Sequence, residues 1–525
     1  MQLHKEEYKC SVYVYHVGKG YRNKKGQPTS DQILIGRLDE SSGRLTPNDT
    51  YFQFYDEKPQ ENTLKIDSIK NFGNYFLLNE LVIENKLDIF LKNAFGDDSD
   101  EIIALAIYMT LEGNILSNSV DFFEETLTSL NYVITPSEIS RLLKRISKDK
   151  QDKFFRAWIK ERLENEYLAY DVTSISSYSS NNEDVEFGYN RDKENLPQVN
   201  VGMFYGATSH LPVYYSNYYG SITDKTHLKT IIRNASKLGI TNAMLVMDRG
   251  FFSIANLKYL ENMTQKFIIE MSNCTKLGKY LINTYGTETK KYTNSIEIED
   301  LTAFRVHRDD YGFDSVIHIF YSDTKAASER LAFKEDLRKW EAAISMGDDI
   351  PESSKTFFNI DAKSDPNTVK CTKNINNIEE HLNTMGYFLI LTSDLARDSS
   401  DLIEIYRLKD VVEKAFDNIK NRIDMKRLHV HSAEAENGKL FLAFIALILR
   451  TCVFNAGKEY IRKNNLSVDS IFLELQKIKV VVEETGFCSH GPLTKKQKEI
   501  LLLFKKSEET IDNTIKSIAS LRTLR

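Results

Sequence analysis

The stretch from Asp401 to Leu428, DLIEIYRLKDVVEKAFDNIKNRIDMKRL, most constrains what this chain can fold into and do. An α-helix advances about 100° per residue, so the stretch predicts one amphipathic helix that leads into a short basic connector. The apolar face of this helix would carry Leu408, Val411, Val412, Ala415 and Ile419. The polar face would carry Tyr406, Lys409, Glu413 and Lys420, which places one carboxylate among cations.

A surface helix with charge pairs one turn apart would show a similar pattern. The spacing Tyr406-x2-Lys409-x3-Glu413-x6-Lys420 points further, because it resembles the Y-(2)-R-(3)-E-(6)-K signature of insertion-sequence-4-type DDE transposases. In this chain Lys409 stands at the arginine position. Lysine keeps the positive charge but lacks the planar, two-pronged grip of arginine on a phosphate.

The overall composition is that of a globular protein large enough for several domains, with 525 residues, 41% of them hydrophobic and 27% charged. We find no uncharged apolar run of about 18 residues and no apolar core in the first residues, MQLHKEEYKC. These features predict a soluble, intracellular protein without a membrane partner. The net charge of -6 argues against indiscriminate coating of nucleic acid, so any DNA-binding charge must be local.

The cysteines are few and scattered. None forms a CxxC pair or has a histidine partner at zinc-ligand spacing, which favours reduced structural thiols over a disulfide framework or a zinc site. The five are Cys10, Cys274, Cys371, Cys452 and Cys488.

Changes in hydrophobic periodicity divide the chain into six segments. We predict a small β-rich module at 1–60, a helical and DNA-binding domain at 61–165, and the first part of an α/β core at 166–271. An inserted, strand-rich subdomain would follow at 272–395, because that length is too great for a simple loop. The closing part of the core would occupy 396–460, and a helical C-terminal region 461–525.

In the core, three consecutive predicted strands are followed by alternating helices and strands. This order predicts a mixed sheet and matches an RNase H-like core. The fold class is therefore predicted as α/β: an RNase H-like mixed sheet interrupted by the insertion, with the β-rich module and the helical regions on either side.

The helical segment has one sharp local signal, the capping box Thr135-Pro136-Ser137-Glu138. The helix behind it carries an outward basic face that includes Arg141 and Lys144, and the basic character continues to Arg162. A DNA-contacting face and a solvated charged face both fit this pattern. A second cap is predicted at Thr494.

Two aspartates end apolar runs, Asp171 in EYLAYD and Asp248 in AMLVMD. Either one alone could be a turn residue or a helix cap. Strand ends are where sites assemble in α/β sheets, however, and carboxylates gathered there need cations to neutralise them. With Glu413 the set offers three hard oxygen ligands for Mg²⁺ or Mn²⁺, and two such ions about 4 Å apart can support in-line attack on a phosphodiester.

The resemblance to insertion-sequence transposases extends beyond the helix and spans roughly residues 166 to 460. AYDVTSIS resembles the strand of the first aspartate, and VMDRGFFSIANLKYL resembles the motif of the second. The resemblance implies that Asp171, Asp248 and Glu413 are the catalytic, metal-binding triad. It also implies that Tyr406, Lys409, Lys420 and Arg249 contact DNA; for Arg249 an ion pair within the site is equally compatible.

Relatives use an aromatic residue of the insertion to stack on a flipped base. Trp340 is the only tryptophan in the 272–395 segment, but it lies in a helix-like stretch, KEDLRKWEAAI. We therefore expect it to pack in a core.

The resemblance implies a DNA transposase that cuts the ends of its element and joins the 3′-OH ends to target DNA, using Mg²⁺ or Mn²⁺. Its partners would be double-stranded transposon ends and target DNA, bound by at least a homodimer in a paired-end complex, in the cytoplasm of a prokaryote. Two alternatives stay open: a metal-dependent nuclease of the same fold that never joins strands, and a transposase-derived DNA-binding protein that has lost catalysis.

Overall fold

The computed structural model describes residues 3–7, 12–39, 44–55, 66–163, 166–179, 182–241, 243–361, 370–484, 486 and 488–523. Contacts between residues divide the chain into two compact units. The first comprises Met1–Asp67 with Glu483–Thr485, and the second comprises Ser68–Val482 with Gly486–Arg525.

The first unit is built on a four-stranded antiparallel sheet in the order β1-β2-β3-β4. Its elements are β1 (Leu3–Glu7), β2 (Val12–Arg22), β3 (Pro28–Asp39), β4 (Arg44–Pro47) and the short helix α1 (Tyr51–Phe54). Gly26 has a φ of +77° in the turn between β2 and β3, a conformation that glycine adopts without strain. Residues 56–60 of the predicted β-rich module lie outside the described residues.

The second unit begins with one strand and a group of helices. These are β5 (Ile66–Asn71), α2 (Gly73–Glu84), α3 (Leu87–Phe95), α4 (Ser99–Glu112), α5 (Ser119–Glu125), α6 (Pro136–Arg145) and α7 (Lys148–Arg162). The predicted capping box at α6 is confirmed: the Glu138 amide donates to Thr135 Oγ1, and the Thr135 amide donates to Glu138 Oε2. The apolar faces of these helices belong to the same hydrophobic core as the sheet that follows.

The predicted order of three strands followed by alternating helices and strands is confirmed. The elements are β6 (Tyr167–Ser176), β7 (Gln198–Gly206), β8 (Pro212–Tyr219), α8 (Asp224–Lys237), β9 (Met244–Met247), α9 (Ile254–Asn262) and β10 (Phe267–Met271). Asp171 is the fifth residue of the ten-residue β6, so it does not end its strand as its apolar run suggested.

The segment predicted as one inserted subdomain has two parts. Its elements are α10 (Lys276–Thr289), β11 (Leu301–Arg308), β12 (Ser315–Ser322), α11 (Asp323–Met346), β13 (Phe358–Asp361), β14 (Lys370–Lys373), α12 (Ile375–Asn383) and β15 (Tyr387–Thr392). Strands β11, β12 and β15 join the central sheet. The middle part, from α11 to α12, has a small core of its own that includes Phe333, Leu337 and Ile378.

The central sheet therefore has eight strands, in the order β11-β12-β15-β10-β9-β6-β7-β8. Strand β9 is parallel to both of its neighbours, β6 and β10, and the remaining pairs are antiparallel. The predicted α/β class with a large mixed sheet is confirmed.

The chain continues with α13 (Ser399–Arg407), α14 (Asp410–Asp417), a π-helical turn at Asn418–Arg422, α15 (Ala433–Asn464), α16 (Val468–Leu475), β16 (Lys479–Glu483), β17 (Cys488–His490), α17 (Lys495–Leu503) and α18 (Glu508–Thr523). Strands β17, β16 and β5 form a three-stranded sheet. The predicted cap at Thr494 is confirmed as a capping box with Gln497.

The prediction of one helix across 401–428 is wrong. The α-helical hydrogen bonding is interrupted at Leu408 and Lys409 and changes to a wider π-turn after Asp417. Both changes rotate the residues that follow relative to an ideal helix. As a result Tyr406 and Lys420, predicted to share an exposed face with Glu413, are both buried.

Helix α15 is the long helix of the core. Among the described residues it is the one helix with the length and apolar composition of a membrane span, and 83% of its apolar window is buried within the protein. Lys439 and Arg450 interrupt its apolar run, so the helix holds no uninterrupted apolar run of about 18 residues. Cys452 on this helix is a free thiol, as are Cys274 and Cys371. Cys10 lies outside the described residues.

Candidate active site

The register of the parallel strands places the first two predicted carboxylates side by side. Tyr170 of β6 is paired with Met247 of β9, so the next residues in the two strand directions are Asp171 and Asp248. Residues in one row of a sheet project from the same face. Asp248 keeps an extended backbone as it leaves β9, which continues the row.

Of the three predicted carboxylates, Asp171 and Asp248 are half-buried and Glu413 is exposed. Burial raises the pKa of Asp171 to about 6, and the charges of Asp248 and Glu413 act in the same direction. A hydrogen bond from the Val172 amide, 2.7 Å from Asp171 Oδ1, and the nearby cation of Arg191 partly oppose this rise. All three predicted carboxylates therefore lie close enough to interact.

Asp248 also organises the turn that follows it. Its Oδ1 accepts a hydrogen bond from the Arg249 amide at 2.8 Å and so caps the short 3₁₀ helix Arg249–Phe251. The sequence left open whether Asp248 is a helix cap or a site residue. In the structure it caps a helix, and this does not exclude a role in the site.

Glu413 lies in the first turn of α14, and Lys409 is the residue before that helix. Lys409 Nζ is 3.4 Å from Glu413 Oε1. Burial lowers the pKa of Lys409, but Asp248 and Glu413 outweigh it and the net shift is upward. Lys409 thus places a positive charge beside two of the predicted metal ligands.

Tyr406 is directed into the protein. Its hydroxyl donates to Glu270 Oε2 at 2.7 Å, and its side chain packs among apolar residues of the sheet and α13. Burial, with the adjacent Glu270 carboxylate, raises the pKa of Tyr406 well above its ordinary value.

Glu270 is a carboxylate of this site that our sequence analysis missed. Ile269 of β10 is paired with Met247, so Glu270 continues the row of Asp171 and Asp248 on a third strand. Burial raises the pKa of Glu270, and the adjacent Asp248 contributes to the rise. The available signal was a glutamate in the apolar run KFIIEM, at the position that follows the apolar part of the strand as Asp248 does in AMLVMD.

Lys420 is held by the loop between β6 and β7. Its Nζ lies 2.7 Å and 2.8 Å from the two carboxylate oxygens of Asp192, and its side chain is only 10% exposed. In the same loop Glu194 pairs with Arg427 at 2.8 Å. Two acidic residues of the loop are thus bound to basic residues that follow α14.

Arg249 is exposed and lines a cavity of about 910 Å³ that also contacts Trp340. Trp340 stacks on Phe357, with ring centroids 6.2 Å apart and planes 3° apart. It is half-buried and packs against the small core of the inserted part, as we expected. Both Trp340 and Phe357 line the cavity.

The donor chemistry of the site fits a divalent cation. Burying Asp171 beside two like charges is unfavourable unless cations compensate, and carboxylate oxygens are the ligands that Mg²⁺ and Mn²⁺ prefer. Within the described ranges, no group of three His, Cys, Asp or Glu residues is already gathered closely enough to hold a metal ion. In this structure the ammonium group of Lys409 supplies positive charge there.

The three predicted carboxylates thus lie close together on a mixed α/β core. Residues 164–449 match the model of the Transposase DDE domain family. The match covers more than half of the chain, and the chain therefore belongs to this family.

The search of curated proteins gave no match. A similar solved structure is the cryo-EM structure of a piggyBac transposase synaptic complex with hairpin DNA, with 11% sequence identity and a TM-score of 0.38, covering 85% of this chain and 84% of that chain. At that TM-score the likeness supports no argument about this chain.

Proposed function

We propose that this chain is a DNA transposase of the insertion-sequence-4 type, which cleaves the ends of its element and joins the freed 3′-OH ends to target DNA. Membership of the Transposase DDE domain family supports the general activity. The observation that carries the more specific proposal is the adjacent placement of Asp171 and Asp248 on parallel strands, with Glu413 close enough to raise the pKa of Asp171. We propose that the eight-stranded sheet is an RNase H-like core.

In this proposal Asp171, Asp248 and Glu413 hold the divalent ions, two in number. Bound Mg²⁺ or Mn²⁺ would activate the attacking hydroxyl and stabilise the leaving oxygen. In cleavage, the oxygen of a water forms a new bond to phosphorus as the bond to the 3′ oxygen breaks and that oxygen takes up a proton. In joining, the oxygen of the freed 3′-OH loses its proton and forms the new bond to a phosphorus of the target strand. The bond from that phosphorus to the target's own 3′ oxygen breaks in the same in-line manner, and the leaving 3′ oxygen takes up a proton.

In this proposal Lys409 and Arg249 contact backbone phosphates near the carboxylates. Such contacts position DNA without reading its sequence. Lys420 would join them after release from Asp192, and Tyr406 would first have to leave Glu270. Each of these two residues therefore has an acidic partner that DNA phosphates would have to replace.

A transposition reaction that processes both element ends requires a paired-end complex, so we propose at least a homodimer on DNA. We place its activity on the chromosome in the prokaryotic cytoplasm.

The decisive experiment is incubation of the purified chain with its flanking genomic DNA and Mn²⁺ or Mg²⁺, in parallel with Glu413→Gln. Glu413→Gln removes a ligand charge with little change in shape. Glu404→Gln is a matched control, because Glu404 is exposed on α13, outside the carboxylate row. We expect metal-dependent breaks at the element ends, and their joining to target, with wild type and Glu404→Gln but not with Glu413→Gln.

The other outcomes identify the alternatives. Breaks without joined products would indicate a nuclease of the same fold. Specific DNA binding with no breaks in any of the three proteins would indicate an inactive, DNA-binding descendant. Full activity of Glu413→Gln would contradict the assignment of the third carboxylate.

A further inference from the structure

Glu270 and Tyr406 connect the central sheet to α13 directly beside the proposed catalytic carboxylates. The strand register places Glu270 next to Asp248, and the Tyr406 hydroxyl donates to Glu270 Oε2 at 2.7 Å. Tyr406 is only 7% exposed. The hydrogen bond is therefore shielded from water, where losing one partner costs more than at the surface.

Tyr406 lies just before Lys409 and Glu413 in the chain, so its hydrogen bond affects where those two residues lie. The Lys409 amide donates to the Tyr406 carbonyl at 3.2 Å, in the turn where α13 ends and α14 begins. Lys409 Nζ lies 5.5 Å from the centre of the Tyr406 ring. One turn further along, Glu413 receives the ammonium group of Lys409. Fixing Tyr406 thus fixes the start of the helix that carries Glu413.

We infer that Glu270 is a positioning residue of this site: by accepting the Tyr406 hydroxyl it holds the α13–α14 junction, and with it Lys409 and Glu413, against Asp248. This inference rests on the proposed function. It assigns to Tyr406 a role inside the protein, distinct from the DNA contact implied by the sequence resemblance. A role for Glu270 as a fourth metal ligand is the competing assignment, since Tyr406 engages only one of its two carboxylate oxygens.

The test uses the full chain with Glu270→Ala, Glu270→Gln, Tyr406→Phe and the double variant Glu270→Ala/Tyr406→Phe. Mn²⁺ binding is measured by calorimetry without DNA, and cleavage is measured as kcat and KM. Residues that orient metal ligands typically change metal affinity about 10-fold to 100-fold when removed. We expect losses in that range for Glu270→Ala and Tyr406→Phe, and no further loss in the double variant because both remove one interaction.

The conservative variant separates positioning from ligation. A glutamine at 270 can still accept the Tyr406 hydroxyl through its side-chain carbonyl, so Glu270→Gln should bind Mn²⁺ nearly as wild type does. Tyr321→Phe is a matched control. Tyr321 lies on β12, away from the carboxylates, and its hydroxyl donates to Asp323 at 3.0 Å. It should leave Mn²⁺ affinity unchanged.

Three results would overturn the inference. If Glu270→Gln lowers Mn²⁺ affinity as much as Glu270→Ala does, Glu270 is a metal ligand. If Mn²⁺ affinity is unchanged in every variant, Glu270 and Tyr406 only pack against each other. Weakened DNA binding in Tyr406→Phe, with Mn²⁺ affinity intact, would restore Tyr406 as a DNA contact. Asp171→Asn in the same series tests the proposed function separately: retained Mn²⁺ binding and cleavage there would refute the function itself, whatever the Glu270 variants show.

Discussion

The ammonium group of Lys409 lies 3.4 Å from the Glu413 carboxylate, and the charge of Asp248 also acts on it. A cation of the protein thus lies among the carboxylates proposed to hold metal ions. Its side chain is 19% exposed, so it is screened from bulk water but can still be reached from the surface. Lys409 therefore links the charge balance of the carboxylates to the proposed DNA surface.

Replacing Lys409 with alanine should weaken binding to element ends and make the affinity less dependent on salt. Each phosphate contact contributes about 0.9 to the slope of log affinity against log salt, so the slope should fall by about that amount. Binding titrations at several salt concentrations measure it. Lys409→Arg, which keeps the charge, is the control and should retain the slope; an unchanged slope in Lys409→Ala would show that Lys409 does not contact DNA.

Replacing Asp192 with asparagine should raise DNA affinity by freeing Lys420 from its ion pair. The salt slope should become steeper by about one phosphate contact if Lys420 then binds DNA. Asp309→Asn removes the same charge at an exposed site on the loop after β11 and should have little effect. Lower stability without any change in DNA binding would mean that the Asp192–Lys420 pair only braces the fold.

Glu436 should make the stability of the chain depend on pH. It is fully buried in the first turn of α15, where Asn182 and Asn217 donate to its carboxylate at 2.5 Å and 3.1 Å. Burial raises its pKa to about 7. The folded state binds the proton of Glu436 more tightly than the unfolded state does. The resulting contribution of Glu436 to the free energy of unfolding is fully present below about pH 4.5 and is lost as pH rises through about 7.

Chemical unfolding of wild type and Glu436→Gln between pH 4.5 and 8 checks this. As pH rises, the free energy of unfolding of the glutamine variant should increase relative to that of wild type. One pKa unit corresponds to about 1.4 kcal/mol, so the expected increase is of the order of 3 kcal/mol. Glu434→Gln changes an exposed residue of the same turn and should show no such gain. A pH-independent difference for Glu436→Gln would indicate that Glu436 is charged in the folded protein.

Gly438→Ala should destabilise the fold where α15 crosses α6. A Cβ at position 438 would lie 2.3 Å from the carbonyl oxygen of Leu143 and 2.8 Å from its Cα, and backbone atoms cannot move aside as a flexible side chain can. Overpacking of this kind costs about 1–3 kcal/mol or more. Thermal unfolding measures it, with Gly491→Ala as the control because nothing lies within 4 Å of the added Cβ. Equal melting temperatures for both variants would contradict the close approach.

Several features of the fold and site could be predicted because their cause is local. The apolar runs EYLAYD and AMLVMD predicted β6 and β9, and Thr135 and Thr494 predicted helix starts, since a cap depends on residues only three positions apart. The parallel register that aligns Asp171 with Asp248 could not be predicted, because it depends on a crossover through β7, β8 and α8.

The misplaced predictions share one physical cause. Treating 401–428 as one helix assumed an uninterrupted 3.6-residue repeat, whereas tertiary packing ends α13 at Arg407 and introduces a π-turn after Asp417. Predicting one insertion at 272–395 assumed that strands close in sequence pair only with each other. In the folded chain β15 pairs with β10, and it brings β12 and β11 onto the edge of the central sheet.

The sequence by itself determined the class of protein, the residue types available for chemistry and the apolar runs that build the sheet, because these depend on composition and short spacings. Only the tertiary structure decided which side chains meet. It placed Glu270 beside Asp248, buried Tyr406 and paired Lys420 with Asp192. Contacts between residues on different strands and helices depend on strand register and helix packing, and no local pattern in the chain encodes them.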